Sequence, residues 1–264
     1  MSIPKIIHYC WFGGAPLDDM AIRCIESWKR YFPDYEIIQW NEDNFDISSC
    51  EFMQKAYEDK KWAFVSDVAR LKVVYEYGGI YFDTDVEVVA PYDDILSTEV
   101  EGFLGIESTL CVATGLGFGA EKHNRLLKDL ISLYDEVVYD AYKGNLSEIA
   151  CTILTTELLK QHGFVSEDKY QKVCGFDIYP TAYFSPIDYN TGKLQKKAET
   201  HSIHWYGASW LSEKEKVDIR KMQKLASVVG KTAADHIWGI VSCISKEGLW
   251  AYLQRRINKY LLKK

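Results

Sequence analysis

The amino-acid sequence predicts an α/β protein: a mostly parallel sheet with helices on both faces, followed by a helical C-terminal extension. Two observations carry this. Through the first half of the chain, apolar runs of strand length alternate with longer segments whose apolar residues recur every three to four positions. From residue 211 onward the spacing is predominantly helical. No Pro/Gly/Ser-rich linker and no internal repeat interrupts the chain, so residues 1–210 read as one domain and 211–264 as its helical extension.

Residues 5–12 are an apolar run ending at Gly13-Gly14, a strand that enters a loop. Residues 18–31 carry Met20, Ile22, Ile25 and Trp28 at helical spacing and stop before Pro33. A second strand spans 35–40. Residues 52–57 and 63–77 read as helices, the latter ending at Gly78, where a left-handed cap is expected. A third strand at 80–82 enters Asp83-Thr84-Asp85, and 86–89 continue extended to Pro91. Residues 102–106 and 116–120 read as strands, 124–142 as one long amphipathic helix and 148–162 as another. Residues 178–184 and 202–206 read as short extended pieces.

Composition narrows the function classes. The 264 residues are 47% hydrophobic and 26% charged, which excludes collagen-like and disordered chains. The net charge of −7 argues against a protein that coats nucleic-acid phosphates. That charge is uneven: residues 246–264 hold six cations against Glu247, a net +5, leaving −12 for the remainder. The tail's apolar residues, with Trp250 among them, recur at helical spacing. It reads either as an anchor on an anionic membrane surface or as a helix docked on its own domain. The start of the chain shows no secretory leader, and no window approaches the roughly 18 apolar residues of a spanning helix. The 7 cysteines are odd in number and never spaced Cys-x-x-Cys, as expected of reduced core residues in a cytoplasmic protein.

The sharpest chemical signal is Asp83-Thr84-Asp85. Carboxylates at i and i+2 on an extended segment point to one side and repel unless a cation lies between them. Oxygen ligands of this kind suit Mg²⁺ or Mn²⁺; a solvated loop is the plain alternative. The triplet follows a short strand, at the edge where open α/β sheets bind ligands. On the preceding helix Asp67 and Arg70 share a face at i and i+3. They read either as a surface ion pair or as a sugar-hydroxyl acceptor beside a fixed cation. Glu107, at the end of the 102–106 strand, reads as a surface carboxylate or as a nucleophile or acceptor base. Gly115–Gly119 lacks the Lys-Ser/Thr of a phosphate-binding loop and reads as a turn near the acceptor side. His8 and His201 read as structural, and Trp28, Trp40 and Trp62 as core.

Ser66-Asp67-x-x-Arg70, then Tyr75-x-Tyr77-Gly78-Gly79-Ile80-Tyr81-x-Asp83-x-Asp85, resembles the signature of glycosyltransferase family 32. That family includes fungal initiating mannosyltransferases and bacterial capsule and exopolysaccharide enzymes; the catalytic domains of large clostridial glucosylating toxins are similar. The N-terminal segment 3–14 and the segment Ile203-His204-Trp205-Tyr206-Gly207-Ala208-Ser209-Trp210 resemble its first strand and closing motif. The resemblance implies a GT-A-like nucleotide-sugar-binding fold, retention of anomeric configuration and a divalent metal, commonly Mn²⁺. By position, Trp11 would stack on the base of a nucleotide-sugar donor, with UDP favoured. Ser66, Asp67 and Arg70 would bind the donor, Tyr81 would line its site, and Asp83 would contact ribose and metal. Asp85 would ligate the metal, His204 would face metal or diphosphate, and Ser209 and Trp210 would touch the diphosphate. Asp67, Arg70 and Asp85 are the expected catalytic residues. The expected acceptor is a lipid-linked saccharide at the inner face of the cell membrane. A toxin-like protein acceptor, or a non-catalytic nucleotide-sugar-binding module, is the alternative.

Overall fold

Residues 3–96, 101–207 and 213–248 are described by the structure, a computed structural model. The chain opens with β1 (Ile6–Cys10), α1 (Asp19–Tyr31) and β2 (Glu36–Trp40), and β2 pairs parallel to β1. Helix α1 starts where the Asp18 carboxylate accepts from the Ala21 N–H at 2.8 Å, satisfying an orphan donor of the first turn. Helices α2 (Glu51–Glu58) and α3 (Trp62–Tyr77) lead into β3 (Gly79–Tyr81), parallel to β1 on its other side. α3 stops at Gly78, whose φ of 67° suits glycine and whose N–H donates to the Val74 carbonyl at 2.8 Å.

Next come β4 (Val86–Val88), the short helix α4 (Asp93–Leu96), β5 (Gly102–Ile106), β6 (Val112–Ala113), β7 (Phe118–Ala120) and helices α5 (Arg125–Glu136) and α6 (Cys151–Gln161). The first unit closes with β8 (Gln171–Val173), β9 (Phe176–Tyr179), α7 (Thr181–Phe184) and β10 (Ser202–His204). The large sheet has the order β2-β1-β3-β7-β5-β9-β8, with β6 against β5, and β10 pairs antiparallel to β4 in a small second sheet. Strands β1, β2, β3, β5 and β9 run one way, and β6, β7 and β8 run the other.

Period-two alternation sends each strand's residues into two cores, one on each face of the sheet. Ile7, Tyr9, Ile80, Phe82 and Phe103 pack with Trp28 of α1. Cys10, Tyr81, Leu104 and Phe118 pack with Val68 and Leu71 of α3 and Leu127 of α5. Because α3 lies between sheet and outer helices, its polar members Asp67 and Arg70 are buried too.

Four expectations are corrected locally. The helix expected over 124–142 ends at Glu136, because Val137 and Val138 are extended and a 3-10 turn follows; β-branched residues lose χ1 freedom in a helix. The helix expected from 148 begins at Cys151, after a separate 3-10 turn at Leu146–Ile149. Within 116–120, Leu116 belongs to a 3-10 turn and only Phe118–Ala120 pairs. Within 178–184 the strand stops at Tyr179, because Pro180 has no N–H for the ladder, and Pro180 then stands at the N-cap of α7.

Contacts divide the chain into residues 1–187 with 195–210, and residues 188–194 with 211–264. The second unit contains helices α8 (Glu213–Val229) and α9 (Lys231–Glu247), joined at Gly230. Ala226 and Ala234 are buried, and the Gln223 side chain donates to the Tyr189 carbonyl at 2.8 Å. No helix among the described residues is long and apolar enough to cross a membrane. Cys10, Cys24, Cys50, Cys111, Cys151 and Cys174 are unpaired. Residues 249–264, the greater part of the basic tail, lie outside the described residues.

Candidate active site

The site is organised around the Arg70 guanidinium, which is 3% exposed. Nη2 lies 3.1 Å from Asp67 Oδ1 and 3.0 Å from Asp83 Oδ1, so one cation joins the α3 carboxylate to the first Asp after β3. Nε donates to the Ser66 carbonyl at 3.1 Å, and Nη1 to Thr114 Oγ1 at 3.4 Å and Cys151 Sγ at 3.5 Å. Its plane lies 5.1 Å over the Tyr81 ring, whose hydroxyl donates to Asp83 Oδ1 at 2.9 Å. A forked donor suits this better than an ammonium, because several acceptors at fixed angles are met at once. The surface-pair reading of Asp67 and Arg70 is therefore corrected: α3 is enclosed, and the pair is buried.

Asp67 Oδ2 accepts from the Cys151 N–H at 3.3 Å, at the start of α6, where Ala150 provides no side-chain cap. The carboxylate thus meets the positive end of a helix as well as Arg70. Burial pushes the Asp67 carboxyl upward, against the pull of Arg70 and Cys151. Burial would lower the Arg70 guanidinium, but the Asp83, Tyr81 and Asp67 groups outweigh it and hold it well above its ordinary value.

The second Asp is enclosed by the chain's return. Antiparallel pairing sets His204 of β10 opposite Val86 of β4, one residue past Asp85. His204 Nε2 then lies 3.1 Å from Asp85 Oδ1, the Gly207 N–H donates to Asp85 Oδ2 at 2.8 Å, and the Trp205 N–H donates to the Asp85 carbonyl at 2.9 Å. Burial would raise the Asp85 carboxyl, but His204 and Gly207 outweigh it and hold it below its ordinary value. Burial would lower the His204 imidazole, yet Asp85 and Asp83 raise it overall. Asp83 is pushed up to about 6, chiefly by burial, with Arg70 opposing and Asp85 assisting.

Asp83, Asp85 and His204 bring one ligand atom each to within 4.8 Å of one another. Two carboxylate oxygens and an imidazole nitrogen suit a divalent cation of the Mg²⁺–Mn²⁺ kind. His204 Nδ1 is buried and without a hydrogen-bond partner among the described residues, as expected of a ring reserved for a ligand. The residues present fit the metal.

Residues 18–101 match the family described as the glycosyltransferase sugar-binding region containing DXD motif, and Asp83-Thr84-Asp85 lies inside that span. In this segment the chain resembles the DXD glycosyltransferases. It is similar to subversion of eukaryotic traffic protein A of Legionella pneumophila, at 22% identity over 77% of this chain and 34% of that one. Inositol phosphoceramide mannosyltransferase 3 of Schizosaccharomyces pombe shares 29% identity over 36% of this chain and 28% of its own. Human alpha-1,4-N-acetylglucosaminyltransferase shares 29% over 44% of this chain and 30% of its own. The chain spans about a third of the length of these relatives. Among solved structures, one described as PaToxG glycosyltransferase aligns with a TM-score of 0.48 at 18% identity, over 61% of this chain and 70% of that one.

Around Arg70 and Asp85, the residues Ser66, Asp67, Tyr81, Asp83 and His204 come together. Trp11 follows β1, half-buried, with Nε1 donating to the Ala15 carbonyl at 2.6 Å. Ser209 and Trp210 lie outside the described residues. His8 is buried: Nδ1 accepts from Trp40 Nε1 at 3.1 Å and Nε2 donates to the Gly78 carbonyl at 2.8 Å. His201 Nδ1 donates to the Pro91 carbonyl at 2.6 Å. Trp28 and Trp40 are core, whereas Trp62 is partly buried, edge-on to Tyr57.

Thr114, Gly115, Cys151 and Gly207 also belong to the site, and the sequence reading assigned none of them to it. A Cβ on Gly115 would collide with Asp83 Oδ2 and stand 3.2 Å from Arg70 Nη1, so the Gly115–Gly119 segment begins at the metal cluster. The sequence signal for it was the Gly-rich run itself; Cys151 gave none.

Proposed function

We propose that the protein transfers a hexose from a nucleoside diphosphate sugar, with UDP favoured, to a saccharide acceptor, with retention of configuration. The observation that carries this is the Asp83–Asp85–His204 cluster backed by buried Arg70. When bound there, a divalent cation, Mn²⁺ or Mg²⁺, supplies Lewis acidity for the negative charge that builds on the departing diphosphate. Asp83, Asp85 and His204 would hold that cation. Arg70 keeps the Asp83 carboxylate in place and adds fixed positive charge to the inner wall of the donor site. Asp67 orients Arg70 and, with Ser66 and Tyr81, lines the sugar side. Trp11 offers an indole face for the base, and Ser209 and Trp210 would close over the diphosphate.

A lipid-linked saccharide of bacterial surface polysaccharide synthesis is the acceptor we favour, with the protein at the inner face of the membrane. The +5 charge of residues 246–264 supports it, since anionic lipids attract such a segment by about 1 kcal/mol per cation. Co-sedimentation with anionic liposomes that weakens with salt and vanishes on deletion of 246–264 is the expected result; equal sedimentation after deletion refutes the anchor.

The deciding experiment incubates the purified protein with UDP- and GDP-sugars in Mn²⁺ or in EDTA. Nucleotide release that needs the metal and is lost in Asp85→Asn is expected. Release from no donor, with no donor shifting the melting temperature, refutes the enzyme reading in favour of a chain without this activity.

A further inference from the structure

Glu107 stands on the sheet edge that carries the metal cluster. Strands β3 and β5 run in the same sense, each antiparallel to β7 between them. Tyr81 is opposite Phe118 and Phe103 opposite Gly119, so Leu104 is level with Tyr81. Asp83 is then two residues past that level and Glu107 three, both beyond the carboxyl ends of their strands. Two strand spacings place β3 and β5 about 10 Å apart, with the chain leading into β7 between them.

The turn holding Glu107 is closed at both ends. Its N–H donates to the Cys111 carbonyl at 2.9 Å, and its carbonyl accepts from the Leu110 N–H at 2.8 Å, with Leu110 at a φ of 66°. From Cys111 the chain enters β6 and reaches Thr114 and Gly115, which touch Arg70 and Asp83. One hairpin therefore carries Glu107 and a wall of the metal site, which sets their separation through paired backbone. The carboxylate is partly buried, and Thr109 Oγ1 donates to Oε1 at 2.5 Å. Among the described residues no Lys or Arg pairs with it and no second donor reaches it. Burial raises its carboxyl, with the Thr109 hydroxyl and the His204 charge opposing. A half-buried carboxylate with one hydrogen-bond donor and no paired Lys or Arg is costly, and such groups persist where chemistry uses them.

We propose that Glu107 is a catalytic residue of the transfer, the group that holds the acceptor's attacking hydroxyl and takes its proton. This rests on the transferase reading above. In the step, the acceptor O–H bond breaks and its proton goes to the free Glu107 oxygen. The hydroxyl oxygen bonds the anomeric carbon on the face from which the diphosphate departs, as retention requires, and the bond from that carbon to the diphosphate oxygen breaks with its electron pair leaving on the diphosphate. Water is the smallest acceptor, so hydrolysis of the donor reports the same group.

The test uses the full chain with UDP-glucose, UDP-galactose and UDP-N-acetylglucosamine in Mn²⁺, reading UDP release and the melting shift caused by UDP with Mn²⁺. Glu107→Gln is expected to slow release at saturating donor by about 100-fold or more while leaving the melting shift in place. Thr109→Val, which removes only the hydroxyl that orients the carboxylate, is expected to slow release by a smaller factor. It keeps the test open if Glu107→Gln does not fold. Release at the wild-type rate in Glu107→Gln, or in Thr109→Val if that variant alone folds, overturns the inference and leaves the transferase reading intact. Loss of the melting shift in a folded Glu107→Gln overturns it in favour of a donor-binding role. A glycosylated Glu107 peptide in the mass spectrum overturns it in favour of a nucleophile. Absence of release by the wild-type chain from every donor overturns the transferase reading, and this inference with it.

Discussion

Replacing Arg70 with Met keeps most of the side-chain volume but removes the charge that Asp67 and Asp83 share. The side chains of Arg70, Asp67 and Asp83 are 4%, 9% and 25% exposed, so water cannot substitute for the guanidinium. Removing one partner of a buried pair leaves an uncompensated charge and costs about 3–5 kcal/mol. Against a typical total of about 5–15 kcal/mol, that is a large share of the fold's stability. The origin is testable, because Arg70→Met with Asp67→Asn leaves a neutral amide at the most enclosed position. The double variant is expected to be more stable than Arg70→Met alone, a coupling of about 1–3 kcal/mol. Urea unfolding at neutral pH, followed by the fluorescence of buried Trp28 and its neighbours, reads both quantities. A loss below about 1 kcal/mol in Arg70→Met, or simple additivity in the double variant, would refute the buried-charge argument.

Four further outcomes follow from the same geometry. Gly115→Ala sets a methyl against the Asp83 carboxylate and is expected to weaken Mn²⁺ binding by about 10–100-fold in calorimetric titration; unchanged affinity would show that Asp83 is not a ligand. Asp83 is raised to about 6, so without metal its contribution to stability is complete below its unfolded pKa near 4 and is lost as pH rises through about 6. Since metal needs Asp83 ionised and His204 neutral, and both pKa values are raised, the melting shift caused by Mn²⁺ should grow as pH rises through about 6; a shift independent of pH would refute this. His204→Ala should remove the nitrogen ligand and reduce that melting shift at neutral pH, with an undiminished shift counting against its place in the cluster.

The sequence made the order of elements legible where local rules are strong. The helix ending at Gly78 and the strand entering Asp83 could be read because a glycine cap and a short apolar run are local signals. The breaks at Val137 and Pro180 were missed, since apolar spacing continues through both while the backbone changes conformation. The Asp-x-Asp pair and its link to Ser66, Asp67 and Arg70 were legible as a motif, but motif spacing carries no information on burial. Gly115 showed only as part of a Gly-rich run, and Cys151 left no readable mark, because long-range packing alone brings its N–H and Sγ to Asp67 and Arg70.

The sequence by itself determined the α/β class, the resemblance to the DXD glycosyltransferases and the identity of the acidic pair, because periodicity and motif order are properties of the chain. Only the tertiary structure decided how those carboxylates are held. Enclosure of α3 turned a possible surface pair into a buried cation shared by two acids. Antiparallel return of β10 along β4 brought His204 and Gly207, more than a hundred residues on, against Asp85. Both effects depend on long-range packing that fixes solvent access and distance, and these determine whether two neighbouring aspartates repel or hold a metal.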